Sequence, residues 1–84
     1  MEYSELYVQQ IRTLCKQRNI SINKLATMSG VRQSTLDNIV RGLTKAPRAA
    51  TLHKIANAFN MTLSEFLDFE ELNDYIFPDE SDDL

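Results

Sequence analysis

Residues 22–39 read INKLATMSGVRQSTLDNI, and this stretch predicts two short helices joined by one tight turn. Apolar residues recur at helical spacing on both sides of Ser29 and Gly30, which interrupt the pattern. Gly30 can adopt a positive φ, so it can end the first helix and redirect the chain within few residues. Ala26 offers the small side chain that two steeply crossing helices need. We expect Gly30 and Ala26 to lie at a crowded crossing.

The outward positions of the second of these helices carry hydrogen-bonding side chains almost throughout. They are Arg32, Gln33, Ser34, Asp37, Asn38 and Arg41. A helix that reads base edges in the major groove of DNA requires such side chains. The pattern therefore predicts a DNA-binding helix-turn-helix. An ordinary solvated helix face is the alternative explanation of the same residues.

The order and spacing of motifs over residues 6–69 resemble the Cro/cI, or Xre-type, family of phage-repressor helix-turn-helix domains. The motifs are Leu25, Ala26, Gly30, Val31, Leu36, Ile39, Arg41, Gly42, Pro47, Arg48 and the segments 51–56 and 61–67. The resemblance implies an all-α, lambda-repressor-like bundle of five helices, with a sixth short helix left open. Arg32 departs from the family pattern, because a Ser, Thr or Gly often caps the recognition helix at this position.

Carried over to this sequence, the resemblance places Gln33 and Ser34 in the major groove and Asn38 about one turn further on. The amides of Gln33 and Asn38 can donate and accept at once, which matches the N6/N7 edge of adenine. Ser34 can serve either role. Arg32 can reach a guanine or a backbone phosphate, and both options stay open.

Phosphate contacts are expected from the ends of the helices and from the loop that follows the recognition helix. The candidates are Lys24, Thr35, Arg41, Thr44, Lys45 and Arg48, for which simple solubilisation is the alternative. A carboxylate near DNA is repelled, so we expect Asp37 to pair with Arg41, four residues on. Ile22 stands where the family often has a polar residue that touches DNA, which removes one expected hydrogen bond.

Charge is divided unevenly along the 84 residues, whose net charge is −3. Residues 1–60 hold all nine Lys and Arg and three acids, a net charge of +6. Residues 61–84 hold nine acids and no Lys or Arg. Charges are screened within about 8–10 Å at moderate salt, so the acidic total does not argue against DNA binding by the first part.

The sequence predicts neither an enzyme nor a metal or cofactor site. His53 is the only histidine, and no Cys, Asp or Glu stands at metal-ligand spacing from it. Cys15 shares a helical side with Ile11 and Leu14, so we expect a reduced, buried thiol. No apolar run reaches the ~20 residues of a membrane span, and no signal peptide is recognisable. We therefore expect a cytoplasmic protein with no membrane partner.

Capping signals predict where several helices begin and end. Ser21 suits the start of the second helix, and Thr62 with Glu65 forms a capping box that starts the fifth. Asn19 and Asn60 tolerate the left-handed conformation that ends a helix. The predicted helices cover residues 4–18, 22–29, 32–41 and 49–59, and a fifth starts at residue 62.

We expect a helix-turn-helix domain over residues 1–69 and an acidic extension over residues 70–84. The helical spacing of Phe69, Leu72 and Ile76 predicts helix as far as residue 77, followed by disorder over residues 79–84. The apolar residues of the extension can pack on the domain, or they can bind a twin subunit or another protein. Its carboxylates can also compete with DNA for the basic surface.

Two functions follow as hypotheses. The leading one is a sequence-specific regulator of transcription that binds double-stranded DNA, a repressor of phage or bacterial type. It would act as a homodimer and read a pseudo-palindromic operator through recognition helices, spanning residues 32–41, about 34 Å apart. The alternative is an antitoxin-like interaction module that holds a protein partner through residues 69–77 and binds DNA secondarily.

Overall fold

The computed structural model describes residues 1–78, which form six helices and no strand. They are α1 (Tyr3–Arg18), α2 (Ile22–Ser29), α3 (Gln33–Val40), α4 (Ala49–Ala58), α5 (Leu63–Leu67) and α6 (Glu70–Asn73). The predicted all-α, lambda-repressor-like bundle is confirmed, and the sixth short helix is present as α6.

The first five helices share one apolar core. Its largest fully buried side chains are Ile11, Leu25, Leu36, Ile55, Phe59 and Phe66. Burial of one such side chain is worth roughly 1.5–3 kcal/mol, whereas helices as short as α2 and α3 are marginal in isolation. The core therefore holds α2 and α3 in place. Cys15 belongs to this core as predicted, and burial raises the pKa of its thiol.

The predicted capping residues are confirmed, although α3 is one residue shorter at each end than the predicted 32–41, because Arg32 and Arg41 are its caps. Asn19 and Asn60 adopt left-handed backbone conformations, with φ of 56° and 60°, after α1 and α4. The hydroxyl of Ser21 accepts a hydrogen bond from the first turn of α2. At α5, the Thr62 hydroxyl accepts from the Glu65 N–H at 3.0 Å, and the Glu65 carboxylate accepts from the Thr62 N–H at 2.8 Å.

The prediction that helix continues to Phe77 is wrong. α6 ends at Asn73, and the residues after it, 74–78, form a non-helical segment that we call the C-terminal arm. The rings of Tyr75 and Phe77 both pack on Tyr3, with centroids 5.2 and 5.1 Å away. A helix would turn positions i and i+2 about 200° apart, so it could not bring both rings to one partner.

The acidic extension contacts the bundle as far as the structure describes it. The side-chain amide of Gln9 donates to the carboxylate of Glu71 at 3.0 Å, which ties α6 to α1. The division into domains at residue 69 stays a prediction, and the disorder predicted for residues 79–84 lies outside the described residues. Within residues 1–78, no helix has both the length and the apolar composition needed to cross a bilayer.

Candidate nucleic-acid interface

The turn between α2 and α3 is held by the backbone of Gly30 and the side chain of Ser29. Gly30 has φ of 74°, as predicted, and its N–H donates to the Ala26 carbonyl at 3.0 Å. The Ser29 hydroxyl accepts from the Val31 N–H at 3.2 Å and lies 3.3 Å from the Ala26 carbonyl, to which it donates. The sequence interpretation missed this role of Ser29, although a hydroxyl residue directly before a helix-ending glycine was a usable signal.

The prediction that Gly30 and Ala26 lie at a crowded helix crossing is wrong. Apart from the two neighbouring residues in the chain, a Cβ atom placed on Gly30 would meet no described atom within 4 Å. Ala26 points into the core, whereas Gly30 is exposed. Gly30 is therefore required for its backbone conformation and not for a close approach of the two helices.

The predicted base-reading residues form an exposed row on α3. Gln33 and Ser34 lie in its first turn, and Asn38 follows Ser34 by four residues, which places the two on one line. All three side chains are exposed. On the opposite side of the helix, Leu36 and Ile39 are buried in the core. The core contacts of α3 thus leave the polar row facing outward.

Asp37 has a different partner from the one predicted. Its carboxylate accepts a hydrogen bond from the side-chain amide of Gln33, one turn earlier, at 2.9 Å. This bond replaces the expected ion pair with Arg41. A glutamine amide carries two N–H donors and a carbonyl oxygen, so Gln33 keeps one donor and one acceptor for a base. Asp37 also orients that amide.

A groove of about 440 Å³ lies between α3 and the start of α4. Its lining consists of Thr35, Ile39, Thr44, Ala46, Pro47, Arg48 and Thr51. Three hydroxyl groups and one guanidinium thus face a single groove, and all four can donate hydrogen bonds to an anion. Thr35, Thr44 and Arg48 were predicted phosphate contacts. Thr51 was not predicted, because only the fold brings α4 beside α3.

An arginine stands at the N-cap position of both α3 and α4. Within residues 1–78, neither Arg32 nor Arg48 hydrogen-bonds the first turn of its helix through its side chain. Arg32 is thus the poor cap that its residue type predicts. A helix N-terminus carries about half a positive charge, and each guanidinium adds a full one. Both helix starts therefore favour anions.

The remaining cationic candidates lie outside the threonine-lined groove. Lys45 is exposed in the loop between α3 and α4, and Lys24 is exposed in the first turn of α2. Arg41 lines a second groove, of about 330 Å³, together with residues from the N-terminal half of α1. Ile22 is half-buried and packs against the core, which agrees with the loss of a polar contact at that position.

The acid-bearing segments of the chain lie against each other. Residues 1–11 and 61–78 hold seven acids and no Lys or Arg, whereas residues 12–60 hold all nine basic residues and one acid. Besides the Gln9–Glu71 bond, the Gln10 amide donates to the Phe66 carbonyl at 3.0 Å. The fold thus ties the acidic segment 61–78 to the first half of α1, whereas Arg32 and Arg41 flank α3 and Lys45 and Arg48 lie in the loop that follows.

This arrangement of a short helix, a glycine turn and an exposed polar helix agrees with a match to a family model. The helix-turn-helix family model covers residues 11–66, about two thirds of the chain. The chain belongs to the Cro/cI-type helix-turn-helix family. α2 and α3 are the two helices of the motif, and α3 is the helix for which the sequence predicts DNA recognition.

Two relatives from Bacillus subtilis (strain 168) are named as helix-turn-helix regulators. The chain is 35% identical over 57 residues to the HTH-type transcriptional repressor RghR, which covers 68% of this chain and 42% of RghR. It is 37% identical over 62 residues to the HTH-type transcriptional regulator SlrR, which covers 74% of this chain and 41% of SlrR. The chain thus spans about two fifths of the length of these relatives.

A solved structure shares the fold. The crystal structure of the prophage Lp1 protein 11 superposes with a TM-score of 0.79 at 29% identity, and the match covers 89% of this chain and 100% of that chain. The fold shared with this structure therefore agrees with the helix-turn-helix family assigned from the sequence.

Proposed function

We propose that this helix-turn-helix chain is a sequence-specific DNA-binding regulator that represses transcription by occupying an operator. The observation that carries the proposal is the exposed polar row of Gln33, Ser34 and Asn38 on α3, directly after the helix-turn-helix turn. A helix in this position enters the major groove, where each base pair presents a distinct pattern of donors and acceptors. The names of RghR and SlrR support a regulatory role.

Base reading is assigned to the side chains of this row and to Arg32. Gln33 and Asn38 each offer a donor and an acceptor, which suits the N6/N7 edge of adenine. The bond from Gln33 to Asp37 limits the rotamers of the Gln33 amide before DNA arrives, which lowers the entropy lost on binding. Arg32, exposed at the start of α3, reaches a guanine edge or the adjacent phosphate.

Phosphate binding is assigned to the groove between α3 and α4 and to the cations around it. Thr35, Thr44 and Arg48 would hold one phosphate at the start of α4, where the helix dipole favours an anion. Lys45, Arg41 and Lys24 would contact neighbouring phosphates from exposed positions. Such contacts add affinity and set the register of α3 without reading the sequence.

Two copies of the domain are proposed to act together as a homodimer. One domain of this size contacts one half-site, and a pair places its recognition helices one helical turn apart, about 34 Å. Joint binding raises the affinity above that of either copy, because the second contact becomes intramolecular. Occupancy of such an operator would exclude the transcription machinery.

Selection from random duplexes tests the proposal. The purified chain should enrich one half-site motif, present as an inverted repeat with centres about 10 bp apart. Placed at a promoter, the enriched sequence should lower reporter expression when the chain is present. The double variant Gln33→Ala/Asn38→Ala serves as the control and should enrich no motif. Failure of the natural chain to enrich any motif at moderate salt would refute specific DNA binding, and a rise in expression would refute repression.

A further inference from the structure

A cluster of exposed apolar side chains lies at the end of the molecule formed by the N-terminus of α1 and the C-terminal arm. Among residues 1–78, five large apolar side chains are exposed, and two of them are neighbours in the arm. Ile76 is 86% exposed and Phe77 64%. Phe77 packs on Tyr3, at the start of α1. Apolar surface gathered in one place, unlike single exposed residues, is typical of an interaction site.

The arm is held in the position that exposes this cluster. Tyr75 and Phe77 contact each other edge-on, with centroids 4.9 Å apart, and both pack on the Tyr3 ring. Tyr3 in turn packs edge-on against the buried Tyr7, and their hydroxyls lie 2.5 Å apart in a hydrogen bond. Because the residues on both sides of Ile76 are anchored, Ile76 itself is left exposed.

Carboxylates dominate the charge of the segments that carry the cluster. Asp74 lies in the arm, Glu70 and Glu71 lie on α6, and Glu2 and Glu5 lie at the start of α1, where Arg41 shares a groove with Glu5. The two segments that form this end, residues 1–11 and 61–78, contain no Lys or Arg. The surface therefore favours an apolar partner that carries positive charge at its edges.

We propose that the C-terminal arm and the N-terminus of α1 form a docking surface for a basic, apolar segment of another protein. A symmetric contact between two copies of this surface would set the same carboxylates against one another, which like-charge repulsion disfavours. DNA is repelled for the same reason. An amphipathic helix with Leu or Ile on one face and Lys or Arg beside it complements both the apolar cluster and its charged border.

Fluorescence anisotropy with synthetic peptides tests this proposal on the full chain without DNA. The probe is a labelled peptide of about 18 residues with Leu and Lys at helical spacing. A second peptide keeps every Lys and replaces Leu by Ser. We expect saturable binding of the first peptide and at least tenfold weaker binding of the second. The variant Ile76→Ser/Phe77→Ser should weaken binding of the first peptide about tenfold, whereas the control Leu43→Ser, at another exposed apolar residue, should change it less than twofold.

A charge variant gives an independent measurement. Glu70→Gln/Asp74→Asn should weaken binding of the Leu/Lys peptide several-fold and flatten its salt dependence. Equal binding of the two peptides would overturn the proposal, because the contact would then be electrostatic only. Unchanged binding by both variants would also overturn it. Sedimentation can also contradict the proposal. If the natural chain were a dimer and the variant Ile76→Ser/Phe77→Ser a monomer, the surface would bind a second copy of the chain instead.

Discussion

At the scale of single residues, Gln33 and Asn38 are expected to separate base reading from general DNA affinity. Each change to Ala should weaken binding to the selected operator by roughly 1–3 kcal/mol, because a bidentate amide–adenine contact is worth about that much. Affinity for random duplexes should stay nearly unchanged. Competition titrations with operator and random DNA measure both quantities.

Asn57→Ala provides a matched control, because Asn57 is an exposed amide on α4 rather than on α3. Asn57→Ala should change neither the affinity for the operator nor the affinity for random DNA. Equal losses on operator and random DNA for Gln33→Ala and Asn38→Ala would remove these residues from base recognition.

Gly30 is the residue whose backbone conformation the turn requires. Gly30→Val should lower the free energy of unfolding by about 1–3 kcal/mol, because a β-branched residue resists φ of 74°. The open space around the position means that no steric clash adds to this cost. Urea denaturation measures the change.

Gly30→Asn distinguishes conformational cost from the loss of a glycine as such. Asparagine tolerates the left-handed region, and the chain already places Asn19 and Asn60 there. We expect Gly30→Asn to be clearly more stable than Gly30→Val. If the two variants were equally destabilised, the cause would not be the positive φ.

At the scale of elements, the loop between α3 and α4 is expected to act through phosphates. Lys45→Ala or Arg48→Ala should weaken all duplexes similarly and lower the slope of log K against log salt by about one unit, since each removes one phosphate contact. Lys16→Ala is the control, because Lys16 is an exposed cation in the last turn of α1, outside this loop. Slopes unchanged by both loop variants would place the loop away from DNA.

The start of α5 depends on the capping box of Thr62 and Glu65. Thr62→Ala should destabilise the protein by about 1 kcal/mol, because the Glu65 N–H would lose its hydroxyl acceptor. Ser64→Ala, on the exposed side of the same helix, should change the stability by less than about 0.5 kcal/mol. Thermal melts followed by circular dichroism compare the two, and equal stability would show that the cap contributes little.

At the scale of the whole molecule, the acidic extension is expected to stabilise the bundle. Truncation after Asp68 removes Leu72, which packs against the core, and the rings that cover Tyr3. We expect a loss of about 1–3 kcal/mol in the free energy of unfolding. Ile76→Ser should leave stability nearly unchanged, since Ile76 is exposed. A truncated chain as stable as the full chain would show that the extension does not support the domain.

The truncated chain also tests whether the carboxylates of the extension compete with DNA. If they compete with DNA for the basic surface, truncation should tighten DNA binding and steepen its salt dependence. DNA affinity unchanged by truncation would instead show that the carboxylates lie too far from the interface to act on it.

Much of the fold could be read from local signals along the chain. The turn at Gly30, the caps at Ser21 and Thr62 and the asparagines after α1 and α4 each depend on residues within one or two helical turns, so composition and spacing suffice. The outward row of α3 follows in the same way, because a helix with Leu36 and Ile39 buried must expose Ser34 and Asn38.

The tertiary structure decided what depends on contacts between distant segments. The arm follows its aromatic contacts with Tyr3 rather than the helical spacing of its residues, because α6 alone is too short to continue without support. Thr51 lines the groove with Thr35 and Thr44 only because the fold brings the start of α4 opposite α3. Gln9 meets Glu71, and Gln10 meets the Phe66 carbonyl, for the same reason: packing of the core sets distances between segments that spacing along the sequence does not contain.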